Sequence, residues 1–307
     1  VSEKFMSRSD ISMRQLRHFV AASETGQFSQ AAAAVHVSQS AVTTAVMQLE
    51  QRLGVKLFER LPNGVSLTAE GNKFFQHARH ILDTLQDAIS EPFFMSHSVS
   101  GVVRVGASYT VLGYFLPNLL ARFKRSYPDV EIDLIDMDRV SIESSVRQGE
   151  LDVGLTVVSN ATDLSGLDAS VLIRSRRQLW LASGHPLMGL ASITLKDVAE
   201  HAYILPTVDE GEESVQRYWQ AQGLEPKIAF RTSSVESLRG LVAHGFGVTV
   251  LSDMLYRAWS LEGRKIEVRP LNDAVPSMEL GLIWAQGREM SEPGSAFQQF
   301  MIHACGS

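Results

Sequence analysis

Cysteine is nearly absent from this sequence. The single Cys305 in 307 residues excludes an intrachain disulfide and any cysteine-cluster metal site. Long hydrophobic runs are lacking as well. The stretch from Leu241 to Leu251 is interrupted by His244, Gly245 and Gly247 and falls well short of the roughly 20 apolar residues that span a bilayer. Val1 to Asp10 is polar and has neither the apolar core nor the small-residue cleavage site of an export signal, so the expectation is a cytoplasmic protein with no membrane partner. Nor is there a catalytic signature. His185, His201 and His244 are scattered, without a His-x-x-x-His spacing, and Ser108 lacks a Gly-x-Ser-x-Gly setting, so neither a metal site nor a nucleophile elbow is expected. The expectation is a protein that is not an enzyme and holds no cofactor.

A basic excess is also missing: the net charge is -6, awkward for a chain that binds nucleic acid. Divided by region, the deficit is uneven. Residues 1 to 90 carry 9 Lys/Arg against 8 Asp/Glu, and residues 91 to 307 carry 19 against 26, so the acidic excess lies in the second part. With 45% hydrophobic residues and only 20% charged, the chain has enough apolar material for two or three cores.

The first 68 residues read as short helices followed by a hairpin. Leu16, Phe19, Val20 and Ala21 form one stripe of a helix from Met13 to Glu24, stopped at Thr25-Gly26. Ser29 would cap a short alanine-rich helix reaching Val35. Ser38 would cap a third helix that turns Ala41, Val42, Ala45, Val46, Leu49 and Leu53 inward and ends at Gly54. Its other face carries Gln39, Ser40, Thr43, Thr44 and Gln48, hydrogen-bonding side chains without negative charge, which suits base edges in a major groove. Lys56 to Arg60 and Val65 to Leu67 then predict two strands joined across Leu61-Pro62-Asn63-Gly64. A long helix from Ala69 to about Phe94 follows. Its seam of Phe74, Ala78, Ile81, Leu85, Ala88 and Ile89 has no globular partner nearby in sequence, which predicts self-association.

Beyond Val102 short β-rich runs alternate with helical ones. Strands are predicted at Val102 to Gly106, Val130 to Asp136 and Val153 to Val158, with helices at Tyr114 to Tyr127 and Ile142 to Gln148 between them. Further strands are expected at Val171 to Ile173, Gln178 to Ala182, Tyr203 to Leu205, Ile228 to Arg231, Val248 to Leu251 and Gly281 to Ala285. The alternation predicts βαβ units and a mostly parallel sheet.

Several spaced motifs in order carry a family resemblance. They are Leu16-Arg17-His18-Phe19-Val20-Ala21, Ser29-Gln30-Ala31-Ala32, Ser38-Gln39-Ser40-Ala41-Val42, Leu53-Gly54-Val55-Lys56-Leu57-Phe58-Glu59-Arg60 and Leu67-Thr68-Ala69-Glu70-Gly71. The second part adds Tyr127-Pro128-Asp129-Val130, Gly149-Glu150-Leu151-Asp152-Val153-Gly154, His185-Pro186-Leu187 and Val242-Ala243-His244-Gly245-Phe246-Gly247-Val248. In these the chain resembles the LysR-type transcription regulators over essentially its whole length. The resemblance implies an α/β protein: an N-terminal winged helix-turn-helix (10–68), a long linker and dimerisation helix (69–95), and a two-subdomain periplasmic-binding-protein-like effector domain (100–307). Its first subdomain would comprise 100–170 and 268–307 and its second 171–267. The implied partners are double-stranded DNA, further copies of the chain in a homodimer or homotetramer, a small-molecule effector and RNA polymerase.

On that reading Ser38, Gln39, Ser40, Thr43, Thr44 and Gln48 face DNA and Arg60, at the wing base, grips phosphate. Ser38 and Ser40 could merely cap, and Arg60 could pair with Glu59. The recognition helix and Pro62-Asn63-Gly64 lack the Arg or Lys often found there in similar regulators, so phosphate attraction would fall to Arg14, Arg17, Arg52, Lys56 and Arg60 and the salt dependence should be shallow. Ser108, Tyr109 and Thr110 follow the first strand of the effector half and open a helix, where an anion is favoured and where similar regulators hold their effector. That placement leans the effector towards a small carboxylate. Thr156, Pro206, Ser233, Ser234 and Gly247 should approach the same cleft. The run Asp209-Glu210-Gly211-Glu212-Glu213 reads as a solvated loop or helix start. Ser252 stands where similar regulators often have proline. A solute-binding or transport protein using the second part alone is the competing class, against which the first 68 residues weigh. A regulator without an effector would instead fill its cleft with side chains such as Tyr109 and Phe246.

Overall fold

The computed structural model describes residues 11–61, 64–90 and 99–305; the side chains of Arg60, Leu61, Ser66, Ala69 and several in the second half of the long helix, 86–90 among them, are outside that description. Pro62-Asn63, the predicted helix end towards Phe94 and the Ala88 and Ile89 side chains therefore lie outside the described residues. The chain divides into two compact units, 1–95 and 96–307.

In the first unit α1 (Met13–Thr25), α2 (Phe28–Ala34) and α3 (Gln39–Leu53) precede the antiparallel hairpin β1 (Phe58–Leu61) and β2 (Gly64–Leu67) and the long α4 (Ala69–Ser90). Local chemistry fixes the ends. Ser12 and Gln15 form a reciprocal capping box on α1, and Ser38 Oγ accepts from the Ala41 amide at 3.3 Å to start α3. Gly26 and Gly54 close α1 and α3 in the left-handed conformation that favours glycine. Ser29 does not cap α2: the helix starts two residues earlier, at Phe28, Gln27 holds the cap position and makes no side-chain cap bond, and Ser29 lies in the first turn. The first strand also starts later than predicted, because Lys56 and Leu57 are engaged elsewhere: Thr68 Oγ1 donates to the Lys56 carbonyl and the Leu57 amide donates to Glu50.

The core of this unit gathers Leu16, Phe19, Val42, Val46, Leu49, Leu57 and Phe58. α4 contributes to it. Phe74 lies 5.1 Å from the Phe19 ring, and Ala78 is fully buried. The seam predicted to be free is thus partly spent on α1, and of its described members Ile81 is exposed, at 42%, with Leu85 half-buried.

In the second unit a five-stranded sheet has the order β4-β3-β5-β12-β6, formed by β3 (Gly101–Ala107), β4 (Val130–Asp136), β5 (Val153–Val157), β6 (Leu167–Ser175) and β12 (Met278–Ala285). β3 is parallel to β4 and β5, whereas β12 runs antiparallel to both β5 and β6. A second sheet, β10-β7-β11, is antiparallel throughout; it joins β7 (Arg177–Ala182), β10 (Thr249–Ser252) and β11 (Ile266–Arg269). β8 (Ala202–Pro206) and β9 (Lys227–Thr232) form a parallel pair, tied to the second sheet's neighbourhood by a Tyr203–Val248 bridge. The mostly parallel sheet is therefore corrected to a mixed architecture, because β12 returns from the second lobe to lie antiparallel between β5 and β6, and every pairing in the β10-β7-β11 sheet is antiparallel. The chain leaves the first sheet at Ser175, beyond the expected 170/171 division, and returns from the second after Arg269.

Helices cover both sheets. α5 (Tyr109–Tyr114), α6 (Leu116–Ser126), α7 (Arg139–Gln148) and α11 (Glu292–Cys305) serve the first, and α8 (Leu195–Ala199), α9 (Gly211–Gln220) and α10 (Val235–Ala243) the second. The single helix predicted over Tyr114 to Tyr127 is broken at Phe115, where φ and ψ of -121° and -48° leave the helical region, giving α5 and α6. α7 begins three residues earlier than predicted, because Asp138 caps it through the Ser141 amide at 2.9 Å. Separate cores result: Val105, Leu116, Phe123, Leu282 and Phe297 anchor the first subdomain, and Leu181, Tyr203, Trp219 and Val250 the second.

Candidate nucleic-acid interface and ligand cleft

α3 presents Ser38, Gln39, Ser40, Thr44 and Gln48 to solvent, with Thr43 half-exposed. Their side chains are not equally available. Thr43 Oγ1 donates back to the Gln39 carbonyl at 2.9 Å, and the Ser38 and Ser40 hydroxyls lie 3.0 Å apart. Gln48 Oε1 accepts from Gln15 Nε2 at 2.9 Å, so its amide is oriented by α1. Gln39 and Thr44 stand at the exposed amino-terminal part of the helix. Arg14 and Arg17 are exposed on α1, whereas Lys56 Nζ is 2.7 Å from Glu50 Oε2. Glu50 also accepts from the Leu57 and Phe58 amides at 2.9 and 3.3 Å, and despite its burial these donors hold its carboxyl below the usual range. The Arg60 side chain lies outside the described residues.

In the second unit a cavity of about 30 Å³, room for one or two waters, lies where the two sheets' ends meet. Thr110, Asn160, Arg177, Pro206, Asp209 and Ser214 are among the residues around it. Of the sequence-predicted effector residues, Thr110 and Pro206 line this space. Ser108 and Thr156 are buried nearby at the strand ends, each with a hydroxyl that has no hydrogen-bond partner among the described residues. Tyr109 is 40% exposed, Ser233 is exposed and Ser234 caps α10 through the Ser237 amide at 3.1 Å. Gly247 is explained by packing, since a Cβ there would stand 2.7 Å from the Ala202 carbonyl oxygen on β8. Tyr109 and Phe246 do not fill the cleft; both are exposed.

The acidic run divides: Gly211, Glu212 and Glu213 open α9, the helix start that was one expectation, while Asp209 lines the cavity instead of being solvated. Asp209 Oδ2 accepts from the Thr110 amide at 2.8 Å, its carbonyl accepts from Asn160 Nδ2 at 2.7 Å, and Glu210 Oε2 accepts from Arg139 Nε at 3.1 Å. Arg139 is buried and also donates to Glu143 at 2.6 Å. Burial raises the Glu210 carboxyl even though Arg139 opposes the shift. β8 ends at Pro206 and carries the turn up to the other subdomain, and a charge run in the sequence does not record what it meets. Sequence reasoning also missed Arg177. Its guanidinium lies in the cavity wall, donates to Ser214 Oγ at 2.9 Å and to the Pro276 carbonyl, and sits 6.0 Å from the Tyr218 ring centroid. Among the described residues it has no carboxylate partner, and burial lowers its pKa. Ser252, in the place where proline was noted as common, is buried and donates to Ser175 Oγ at 2.7 Å where the two sheets join. The His185 and His201 rings, read as scattered, lie 4.7 Å apart, and burial lowers the His185 pKa.

Three short helices with a hairpin wing, followed by a two-lobed α/β unit closing on a cleft, define a DNA-binding protein with a ligand-binding domain. The chain belongs to the LysR family of bacterial transcriptional regulators: its helix-turn-helix family matches residues 13–72, and the LysR substrate binding domain matches residues 96–306. It is similar to the HTH-type transcriptional regulator YnfL of Escherichia coli, with 28% identity over 96% of this chain and 99% of that one. The RuBisCO operon transcriptional regulator of Allochromatium vinosum is 26% identical over 95% of this chain and 96% of its own length. Among solved structures, HinK, a LysR family transcriptional regulator from Pseudomonas aeruginosa, superposes with a TM-score of 0.61 at 26% identity, covering 94% of this chain and 97% of that one. The chain is thus a DNA-binding transcriptional regulator with an effector-binding domain, and these relatives are regulators, not transport proteins. No helix among the described residues is long and apolar enough to cross a membrane.

Proposed function

We propose that α3 is the recognition helix, that Gln39 and Thr44 read base edges, and that Ser38, Ser40 and Thr43 set its register on the backbone. Gln48 acts mainly by orienting α3 on α1. Arg60, with Arg14 and Arg17, supplies phosphate attraction. Two copies pair through the α4 seam around Ile81 and Leu85, and two such dimers form a tetramer that contacts RNA polymerase at the promoter, in the cytoplasm. Recognition helices of a pair enter successive major grooves about one turn apart. The effector, with a lean to a small carboxylate, enters the cleft beside Thr110 and Arg177, and the protein carries out no catalysis.

The observation that carries the DNA reading is the uncovered, uncharged polar face of α3 above a core built by its other face. Mobility shift of purified protein on its own upstream DNA tests it, with Gln39→Ala beside the wild type and a panel of metabolites added to each. Weakened binding by the variant and a footprint altered by one metabolite are expected. Equal binding by wild type and variant across specific and nonspecific fragments would remove Gln39 from the interface.

A further inference from the structure

A cavity of about 30 Å³ cannot admit a metabolite, since small-molecule sites run to roughly 300–1,000 Å³. Something must move, and the turn at Asp209 and Glu210 is what stands in the way. Both residues adopt left-handed backbone, with φ of 48° and 54°. Two consecutive non-glycine residues in that region persist only where surrounding contacts over-determine them. Three hydrogen bonds reach the two residues from the opposite subdomain: from the Thr110 amide, Asn160 Nδ2 and Arg139 Nε.

We propose that Asp209 and Glu210 form an internal competitor for the ligand cleft, an acidic turn that holds the two subdomains closed by occupying the polar groups an incoming ligand would use. The inference rests on the reading of this cleft as the effector site. Thr110 stands in the first turn of α5, where an amide has no intrahelical acceptor, so Asp209 is its partner. A ligand binds only the fraction of molecules in which the turn has withdrawn, so its apparent affinity is lowered by that fraction. Asp209 thereby sets how strong an effector must be.

Amide hydrogen exchange on the full-length chain reads the contact directly. Asp209→Gly keeps the left-handed backbone and removes the carboxylate; Thr110 should exchange at least tenfold faster, while Leu112, whose amide donates to the Ser108 carbonyl at 2.8 Å, keeps its wild-type rate. Asp209→Asn, which retains an acceptor without charge, should fall between. Nitroxide distances from Glu131→Cys and Gln222→Cys in a Cys305→Ser background should lengthen and broaden on adding Asp209→Gly and Glu210→Gly. An unchanged Thr110 rate would mean that Asp209 does not protect that amide, and Thr110 and Leu112 accelerating together would make the contact a simple helix cap; either overturns the proposal, as would an unchanged distance distribution. None of these outcomes depends on whether any metabolite alters DNA binding.

Discussion

Gln15 Nε2 donates to Gln48 Oε1 at 2.9 Å, joining the first helix to the exposed flank of the third across 33 residues. Gln15 is buried, so loss of its partner leaves a polar group in poor contact with water. Gln48→Ala should therefore lower stability by about 1 kcal/mol, seen as a shifted denaturant midpoint. Its effect on operator preference should be smaller than that of Gln39→Ala. A larger specificity change for Gln48→Ala, with stability intact, would return Gln48 to direct base contact.

Glu50 is the electrostatic joint of the wing. Glu50→Ala strips acceptors from the Leu57 and Phe58 amides and is expected to cost about 2–4 kcal/mol, measured by denaturation of the full chain. Its carboxyl is held below 4.5 in the folded protein, so its contribution is complete above that value and is lost as pH falls through the depressed one. Wild-type stability should decline below pH 4.5 more steeply than that of Glu50→Gln.

Lys56 gives a salt prediction. Because Glu50 holds its ammonium at 2.7 Å, Lys56→Gln should reduce the slope of log affinity against log salt by less than the value of about 1 expected for a free phosphate contact. Arg17→Gln should produce the full reduction. Equal slopes for both variants would show that DNA pulls Lys56 away from Glu50.

His18 is buried on α1, and burial, followed by repulsion from Arg14, lowers its pKa below 6.5. The folded state therefore binds this proton less readily than the unfolded state. The stability it contributes is present above pH 6.5 and lost as pH falls through the depressed value. Denaturation midpoints taken between pH 7.5 and 5 should fall in the wild type and flatten in His18→Gln.

Gly154 permits the close approach of α7 to the first sheet: a Cβ there would lie 2.4 Å from Ile142 on that helix and 2.9 Å from Ile283 on β12. Gly154→Ala should destabilise by about 1–3 kcal/mol through overpacking. Shortening the neighbour with Ile142→Val in the same chain should recover part of the loss, measured as a coupling energy in a double-mutant cycle.

The elements that could be read from the sequence are those whose causes are local. Ser38 and Gly54 bracket α3 because a hydroxyl cap and a left-handed glycine act within one turn, and the alternation of Val, Ile and Leu located most strands of the second unit. Strand direction was not legible, since nothing within β12 records that its partners β5 and β6 lie on both sides of it and run the other way. The burial of Ala78 was missed because helical periodicity marks an apolar face but not whether that face meets α1 or another molecule. At the cleft, Thr110 and Pro206 were found from strand ends. Asp209 was misread because its partner is 99 residues away, and Arg177 gave no signal because an arginine at a strand start is ordinarily exposed.

The place of β12 between β5 and β6 also bears on how the chain is made. On the ribosome, everything from Arg177 to Arg269 is available to assemble before residues 278–285 emerge, whereas β5 and β6 lack the strand that joins them until then. The second lobe can thus mature during translation while the first waits for β12, and a chain cut short before Met278 leaves β6 without a sheet partner and one edge of β5 unpaired, the kind of surface that chaperones and proteases engage.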